Sequence, residues 1–431
     1  MALRFDILAR SSSNRARLGR VTTLHGSFDT PAFMPVATAA AMKGVLPAEV
    51  RATGAQIILN NAYHLLLRVG VERMRRLGGS HELMRWDGPM LTDSGGFQAY
   101  SMSGINKVDD GGVTFRSFID GSTVRLGPKE SMAIQNAIGA DIIMAFDDCP
   151  PSQAPKLTSE PLDTGLDQVR YRARVLEAHD RTLRWLEACR THHARADEQS
   201  LFGIVQGGTD LDLRRRSIDG VCAVELPGYA IGGVAVGEGR DEIRRVVEFS
   251  APQLPSDKPR YLMGVGYPRD IVMAVAAGVD MFDCVLPTRN GRNAYAFTRH
   301  GSLRLRNACH AEDRRPIEED CDCVACGGGF SRAYLRHLFS AEEMLGPILV
   351  TLHNLRLYQR LMLDIRCAIK EDAWSSFLAA WPVAEVSARE PWGDAPLREE
   401  PAPSAGDHSG HPLNGSDVRT GPAGDDGELP P

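Results

Sequence analysis

Several things are scarce in this chain of 431 residues, and each scarcity removes a class of protein. Positive charge is not in surplus: the formal net charge is -6. No global basic field therefore marks the chain for nucleic acid, and any RNA contact has to come from a local patch. No run approaches the roughly 20 apolar residues of a membrane span. The opening residues carry Arg4, Arg10, Arg15 and Arg17 but no uninterrupted apolar core of the signal-peptide kind. Cysteine is sparse and odd in number, 9 in all, which does not suit a fully paired secreted framework. A glycine-rich phosphate fingerprint is missing too, because "GFQAYSMSG" has the wrong spacing. The chain reads as soluble and cytoplasmic, long enough for one large α/β barrel with additions or for two medium domains.

What is present is a rhythm. Short apolar runs recur over residues 33–288: "FMPVAT", "QIILNN", "PMLTDSGG", "DIIMAFDD", "LFGIVQGG", "YAIGGVAVGE", "RYLMGVGYP" and "MFDCVLPT". Most gaps can hold a helix, most clearly 43–54, 128–139, 168–196, 210–220, 240–250 and 268–278. Near-continuous apolar strands alternating with helices indicate a parallel sheet buried on both faces. Eight of them is the number that closes a (β/α)8 barrel. The expected class is therefore α/β, with the catalytic barrel over 1–300 and its eighth strand at about 281–288. Many runs end in polar residues or glycine, and in a barrel those ends converge on the one face that carries active sites.

After 288 the pattern changes. Residues 289–305 read as short β segments, followed by a cysteine cluster and helices at about 331–345 and 352–370, giving a metal-binding subdomain with closing helices over 301–384. Residues 385–431 are rich in Pro, Gly, Asp, Glu and Ser, and are expected to form a disordered tail. Cys321, Cys323 and Cys326 form C-x-C-x-x-C, which can bring three thiolates to one ion. A fourth ligand completes a tetrahedron, and His353, His337 and His310 are candidates. A closed site of this kind, read as zinc, leaves no open position for substrate and is structural.

Two aspartates stand in apolar surroundings, Asp93 in "LTDSGGFQ" and Asp283 in "MFDCVL". An ionised carboxylate there is costly unless it is hydrogen-bonded, paired or facing a cavity. Each alone reads equally well as a buried cap on loop amides. As a pair at the ends of different strands they suit substitution at an anomeric carbon. Asp147 in "MAFDDCPP" can accept two hydrogen bonds side by side, matching the N1–H and 2-amino edge of a guanine-like base. Gln206 offers an amide to the other edge, the Gly232–Gly233 backbone can approach a flat ring, and Phe97 can stack on it.

At these residues the sequence resembles bacterial tRNA-guanine transglycosylases (queuine tRNA-ribosyltransferases). The matching stretches are "TPAFMPVAT", "LNNAYHLLLRVG", "LTDSGGFQ", "FDDC", "FGIVQGG", "GYAIGGVAVGEG", "YLMGVGYP", "MFDCVLPTRNGRN" and the cysteine pattern with "TLHNL". They run in order over roughly residues 5–370. The resemblance implies exchange of guanine at wobble position 34 of tRNAs with GUN anticodons for a 7-deazaguanine, on the route to queuosine. It makes Asp283 the nucleophile and Asp93 the proton acceptor and donor. Asp93, Ser94, Gly95, Gly96, Phe97, Asp147, Gln206 and Gly233 would bind the base. Gly264, Val265, Gly266, Tyr267, Pro268, Arg269 and Asp270 would touch the RNA, as would Thr288, Arg289, Asn290, Gly291 and Arg292. Cys321, Cys323, Cys326 and His353 would hold one zinc ion.

Cys149 and Val236 resemble the bacterial pattern, which implies preQ1 (7-aminomethyl-7-deazaguanine) rather than queuine as the incoming base. The resemblance also implies a homodimer acting on the tRNA anticodon loop. Four departures from the family pattern are visible: Ala37 and Ala294 where glycine is frequent, Val234 where leucine is usual, and a "GGGF" loop after Cys326 one residue longer than usual. A glycoside hydrolase on the same barrel explains two carboxylates but neither the cysteine cluster nor the guanine-matching groups. A non-catalytic tRNA-binding subunit would be marked by loss of a catalytic or base-binding aspartate, and all three are present.

Overall fold

The computed structural model describes residues 2–101, 107–150 and 166–384. Strands β1 (Arg4–Arg10), β2 (Arg17–Thr23) and β3 (Gly26–Thr30) form an antiparallel sheet. Its residues Val21 and Phe28, with Leu3 just before it, join one core cluster with the barrel-lining Met34, Leu59, Leu91, Ile142, Phe202 and Met281. The barrel begins with β4 (Ala32–Met34), β5 (Val36–Ala37), β6 (Ile58–Asn60) and β7 (Met90–Thr92). A second antiparallel sheet, β8 (Lys107–Asp109), β9 (Gly112–Arg116) and β10 (Thr123–Leu126), follows β7. The barrel resumes with β11 (Ile142–Met144), β12 (Ser200–Val205), β13 (Gly228–Ile231), β14 (Arg260–Leu262) and β15 (Met281–Asp283).

The order of the parallel sheet is β4-β15-β14-β13-β12-β11-β7-β6-β5. Its two ends, β4 and β5, are separated only by Pro35, whose ring lacks the N–H a continuous ladder needs. They are one strand in two pieces: β4 pairs with β15 and β5 with β6. The sheet thus closes on itself as the eight-stranded α/β barrel that the apolar runs imply. Strands β4 to β7 and β11 to β14 are buried at every position, as strands covered on both faces must be.

Helices Pro128–Ile138, Arg240–Ser250 and Pro268–Ala276 match the expected spans closely, and Leu166–His192 and Leu211–Cys222 within a few residues. The helix expected at 43–54 is only Pro47–Ala52, and the closing helices run Arg332–Ser340 and Leu345–Lys370 rather than 331–345 and 352–370. The eighth strand ends at Asp283 rather than at about 288, and Leu286–Arg292 is a helix, with Pro287 in its first turn where a missing N–H costs nothing. The β segments after it therefore shrink to a hairpin, β16 (Tyr295–Thr298) and β17 (Gly301–Arg304). Beyond it lie the cysteine loop and helices Arg332–Ser340 and Leu345–Lys370. The expected tail, 385–431, lies outside the described residues.

The 345–370 helix belongs to two structures at once. Leu349 and Val350 near its start lie in the core that surrounds Cys321, Cys323 and Cys326. Further along, Gln359 Nε2 donates to Phe33 O (3.1 Å) and Arg366 Nη1 to Pro31 O (2.8 Å), tying it to the first barrel strand. It crosses the 286–292 helix so closely that a Cβ on Gly291 would lie 2.7 Å from Thr351 Cα.

Candidate active site

The barrel brings five strand ends together. Asp93 follows β7, Asp147 lies just beyond β11, Gln206 follows β12, Gly232 and Gly233 follow β13, and Asp283 closes β15. Parallel strands put all of these at the same rim.

Asp283 is only partly exposed, and one oxygen does all its hydrogen bonding. Tyr261 OH donates to Oδ1 at 2.6 Å and Gly264 N at 2.8 Å. Among the described residues Oδ2 has no partner. The carboxylate is therefore oriented by two donors while its second oxygen stays uncommitted. Burial raises its pKa against the opposing effect of those donors. Gly264 sits at a φ of 74°, in the left-handed region that favours glycine, and that turn delivers its N–H to Asp283.

Asp93 is held differently. Asn61 Nδ2 donates to Oδ2 (2.6 Å) and Ala62 N to Oδ1 (2.8 Å). Loss of water lifts its pKa to about 7, against the lowering effect of the Ala62 and Gly95 backbone N–H groups, with the charges of Asp283 and Asp147 adding to the rise. A carboxyl group with that value can both give and take a proton near neutrality. Asp147 is also pushed to about 7, first by burial and then by the neighbouring Asp148 charge. Its oxygens meet Gln206 Nε2 (2.6 Å) and Ser94 Oγ (3.4 Å), both groups that can turn to a ligand.

Gly233 closes this side. Its φ is 62°, and a Cβ there would lie 2.2 Å from Gln206 Oε1, so a side chain would displace the amide. Gly96 is similarly tight, 3.0 Å from Asp147 O if a Cβ were built. Phe97 is 45% exposed, which leaves its ring available at the rim. Cys149 is buried beside Asp147, with its thiol pushed up to about 12 by desolvation, and is a neutral wall. Val234 is buried, and Val236 is partly exposed with its N–H on Glu238 (3.0 Å).

The residues expected to touch RNA occupy two segments flanking Asp283. Gly264 is exposed and Tyr267 half-buried, while Val265, Gly266 and the helix-starting Pro268, Arg269 and Asp270 are buried. Cys284 packs so close to Gly266 that a Cβ there would approach Cys284 Cβ to 2.3 Å. On the 286–292 helix Arg289 is exposed and Asn290 half-buried. Arg292 donates to Thr288 O (3.0 Å), and Thr288 and Gly291 face inward. Ala294, one of the departures from glycine, adopts a φ of 61°, a conformation that costs an alanine roughly 1–2 kcal/mol.

Cys321, Cys323, Cys326 and His353 are all buried, and their ligand atoms lie within 4.8 Å of one another. His353 Nδ1 is 3.6, 3.4 and 3.4 Å from the three sulfurs, while Nε2 donates to Phe297 O at 2.7 Å. That second bond fixes the tautomer and leaves Nδ1 to coordinate. The four donors fit one tetrahedral metal ion, and His353 rather than His337 or His310 is the fourth. A second group, His25, His81 and Asp141, lies by a cavity of about 490 Å³ at the opposite end of the barrel. Its two rings stack 3.7 Å apart at an interplanar angle of 15°, so they cannot both aim a lone pair at one ion.

Sequence reasoning missed Tyr261, Gly264 as a donor to Asp283, and the pairing of Asn61 with Asp93. Asn60 and Asn61 at a strand end were the available signal. A family model described as queuine tRNA-ribosyltransferase matches residues 11–384. Three relatives bear that same name. One from Thermus thermophilus is 51% identical over 374 residues, covering 87% of this chain and 92% of the relative. Another, from Symbiobacterium thermophilum, is 49% identical over 394 residues, covering 90% and 94%. A third, from Stenotrophomonas maltophilia, is 48% identical over 390 residues, covering 90% and 99%.

Proposed function

The chain belongs to the queuine tRNA-ribosyltransferase family, and from that premise we propose that it is a pentosyltransferase exchanging wobble guanine of GUN-anticodon tRNAs for preQ1. These are the tRNAs for aspartate, asparagine, histidine and tyrosine. The observation that carries the reading is Asp283: a carboxylate oriented through Oδ1 and open at Oδ2, on the same rim as a proton carrier and a guanine-shaped edge.

The wobble nucleotide leaves the anticodon stack and its base enters the barrel mouth. Asp147 accepts from N1–H and the 2-amino group, Gln206 and the Gly233 backbone meet the adjoining 6-oxo side, Ser94, Gly95 and Gly96 line the pocket, and Phe97 covers the ring. Asp283 Oδ2 attacks C1′ as the bond to N9 breaks, and Asp93 gives guanine its proton. PreQ1 then takes the vacated place, loses its N9 proton to Asp93 and attacks C1′, releasing Asp283. Two inversions give retention. The segments 264–270 and 288–292 grip the RNA on either side of the reacting sugar.

Zinc is the ion that best suits three thiolates and an imidazole. It would hold the 301–384 subdomain together beside the 1–300 catalytic barrel, one ion per subunit of a cytoplasmic homodimer. Incubation of the protein with radiolabelled preQ1 or guanine and unmodified GUN-anticodon tRNA tests the reading. Label should enter tRNA at position 34, and no incorporation of either base overturns the proposal.

A further inference from the structure

Arg214 sits on the 211–222 helix with no exposed surface, and among the described residues no carboxylate pairs with it. A buried guanidinium without a counter-charge is costly, and burial drags its pKa down to about 10. The cost is offset by main chain alone. Nε donates to Gly208 O (2.8 Å), Nη1 to Val205 O (3.1 Å) and Gly232 O (2.7 Å), and Nη2 to Gly233 O (2.9 Å). Val205 and Gly208 bracket Gln206, and Gly232 and Gly233 form the turn after β13. One planar fork therefore fastens both loops that meet the base beside Asp147, which accepts from Gln206 Nε2 at 2.6 Å.

The fastening has a direction. In a trans peptide the N–H points away from the C=O of the same unit. Holding Gly232 O on the guanidinium turns the Gly233 N–H away from Arg214. Gln206 is constrained in the same way, since its own N–H is fixed on Ser217 Oγ (2.9 Å), one turn along the same helix. Its side-chain Oε1 is confined beside Gly233, where a Cβ would collide with it.

We infer that Arg214 is a positioning residue that sets base specificity, presenting the Gly233 N–H and the Gln206 amide as one preformed edge for the 6-oxo side of the purine. The inference rests on the base-exchange reading above. It predicts that loosening the fork harms recognition of the base and not of the RNA. Lysine keeps the charge but has no planar fork to span four carbonyls.

The test is steady-state exchange with Arg214→Lys and Arg214→Gln, measuring KM for guanine and for tRNA separately. Inhibition by guanine is also compared with that by 2-aminopurine, which lacks the 6-oxo group. The expected result is a rise in guanine KM of about tenfold or more, with tRNA KM within about twofold. The preference for guanine over 2-aminopurine should shrink in parallel. In Arg214→Ala, millimolar guanidinium ion should restore part of that preference. A purely architectural role would lower active enzyme equally for both inhibitors. An unchanged preference, or parallel shifts in both KM values, overturns the inference. Wild type that exchanges no base would instead overturn the functional reading, so the two failures are distinct.

Discussion

Replacing Asp147 with asparagine is expected to stabilise the protein while disarming it. Burial holds this carboxyl at about 7 against an ordinary value of 3.8. The folded protein therefore binds the proton more tightly than the unfolded chain does. Its carboxyl contributes full stability below about pH 4 and loses it as pH rises through about 7. At about 1.4 kcal/mol per pH unit, the loss is about 2 kcal/mol at pH 5 and about 4 kcal/mol at pH 8. Asparagine is neutral at both and nearly the same shape, and neither hydrogen bond need be lost, because its oxygen can still accept from Gln206 Nε2 while its NH2 donates to a rotated Ser94 hydroxyl. Urea unfolding of wild type and Asp147→Asn should give a stability difference favouring the variant. That difference should be about 2 kcal/mol larger at pH 8 than at pH 5. In the exchange assay the same variant should lose roughly 100-fold or more in kcat/KM for the base, since a donor now faces a donor. A stability difference that does not grow with pH would refute the reasoning.

Two further outcomes follow from the site. Asp283→Ala should form no covalent RNA adduct under conditions where wild type does, seen as loss of the slower band on a denaturing gel, and an adduct that survives would reassign the nucleophile. Metal analysis of wild type should find about one zinc per chain, and Cys323→Ser should lose it together with several degrees of melting temperature. Retention of metal by that variant would show that the four-ligand site is wrong.

The barrel was legible because its strands are covered on both faces, so each reads as an unbroken apolar run closed by a polar residue. That same feature exposed Asp93, Asp147 and Asp283. The antiparallel sheets β1–β3 and β8–β10 were not read, because their strands are only partly covered and show no such runs. The second did leave a signal: "DDGG" and "IDGS" are turn sequences between short β-prone segments. The helix at 286–292 was hidden by "PTRNG", whose residues suit a turn as well as a first helical turn. Arg214 was half visible. It shares the buried face of its helix with Ser217, Ile218 and Val221, at spacings of three, four and seven. Nothing in the sequence said that carbonyl oxygens would satisfy it.

The helix 345–370 has a consequence for the order in which the protein can be made. It is the piece of wall that lies against the first barrel strand, yet it leaves the ribosome after every barrel strand has been made. Until then the strand pieces on either side of Pro35 lack their outer cover. His353, the candidate metal ligand, arrives on the same helix, near the start of the segment that supplies the cover. Completion of the barrel and loading of the metal are thus events of one late segment. A cell short of the ion would accumulate an enzyme whose defect lies in its first barrel strand, made hundreds of residues before the site that failed to fill.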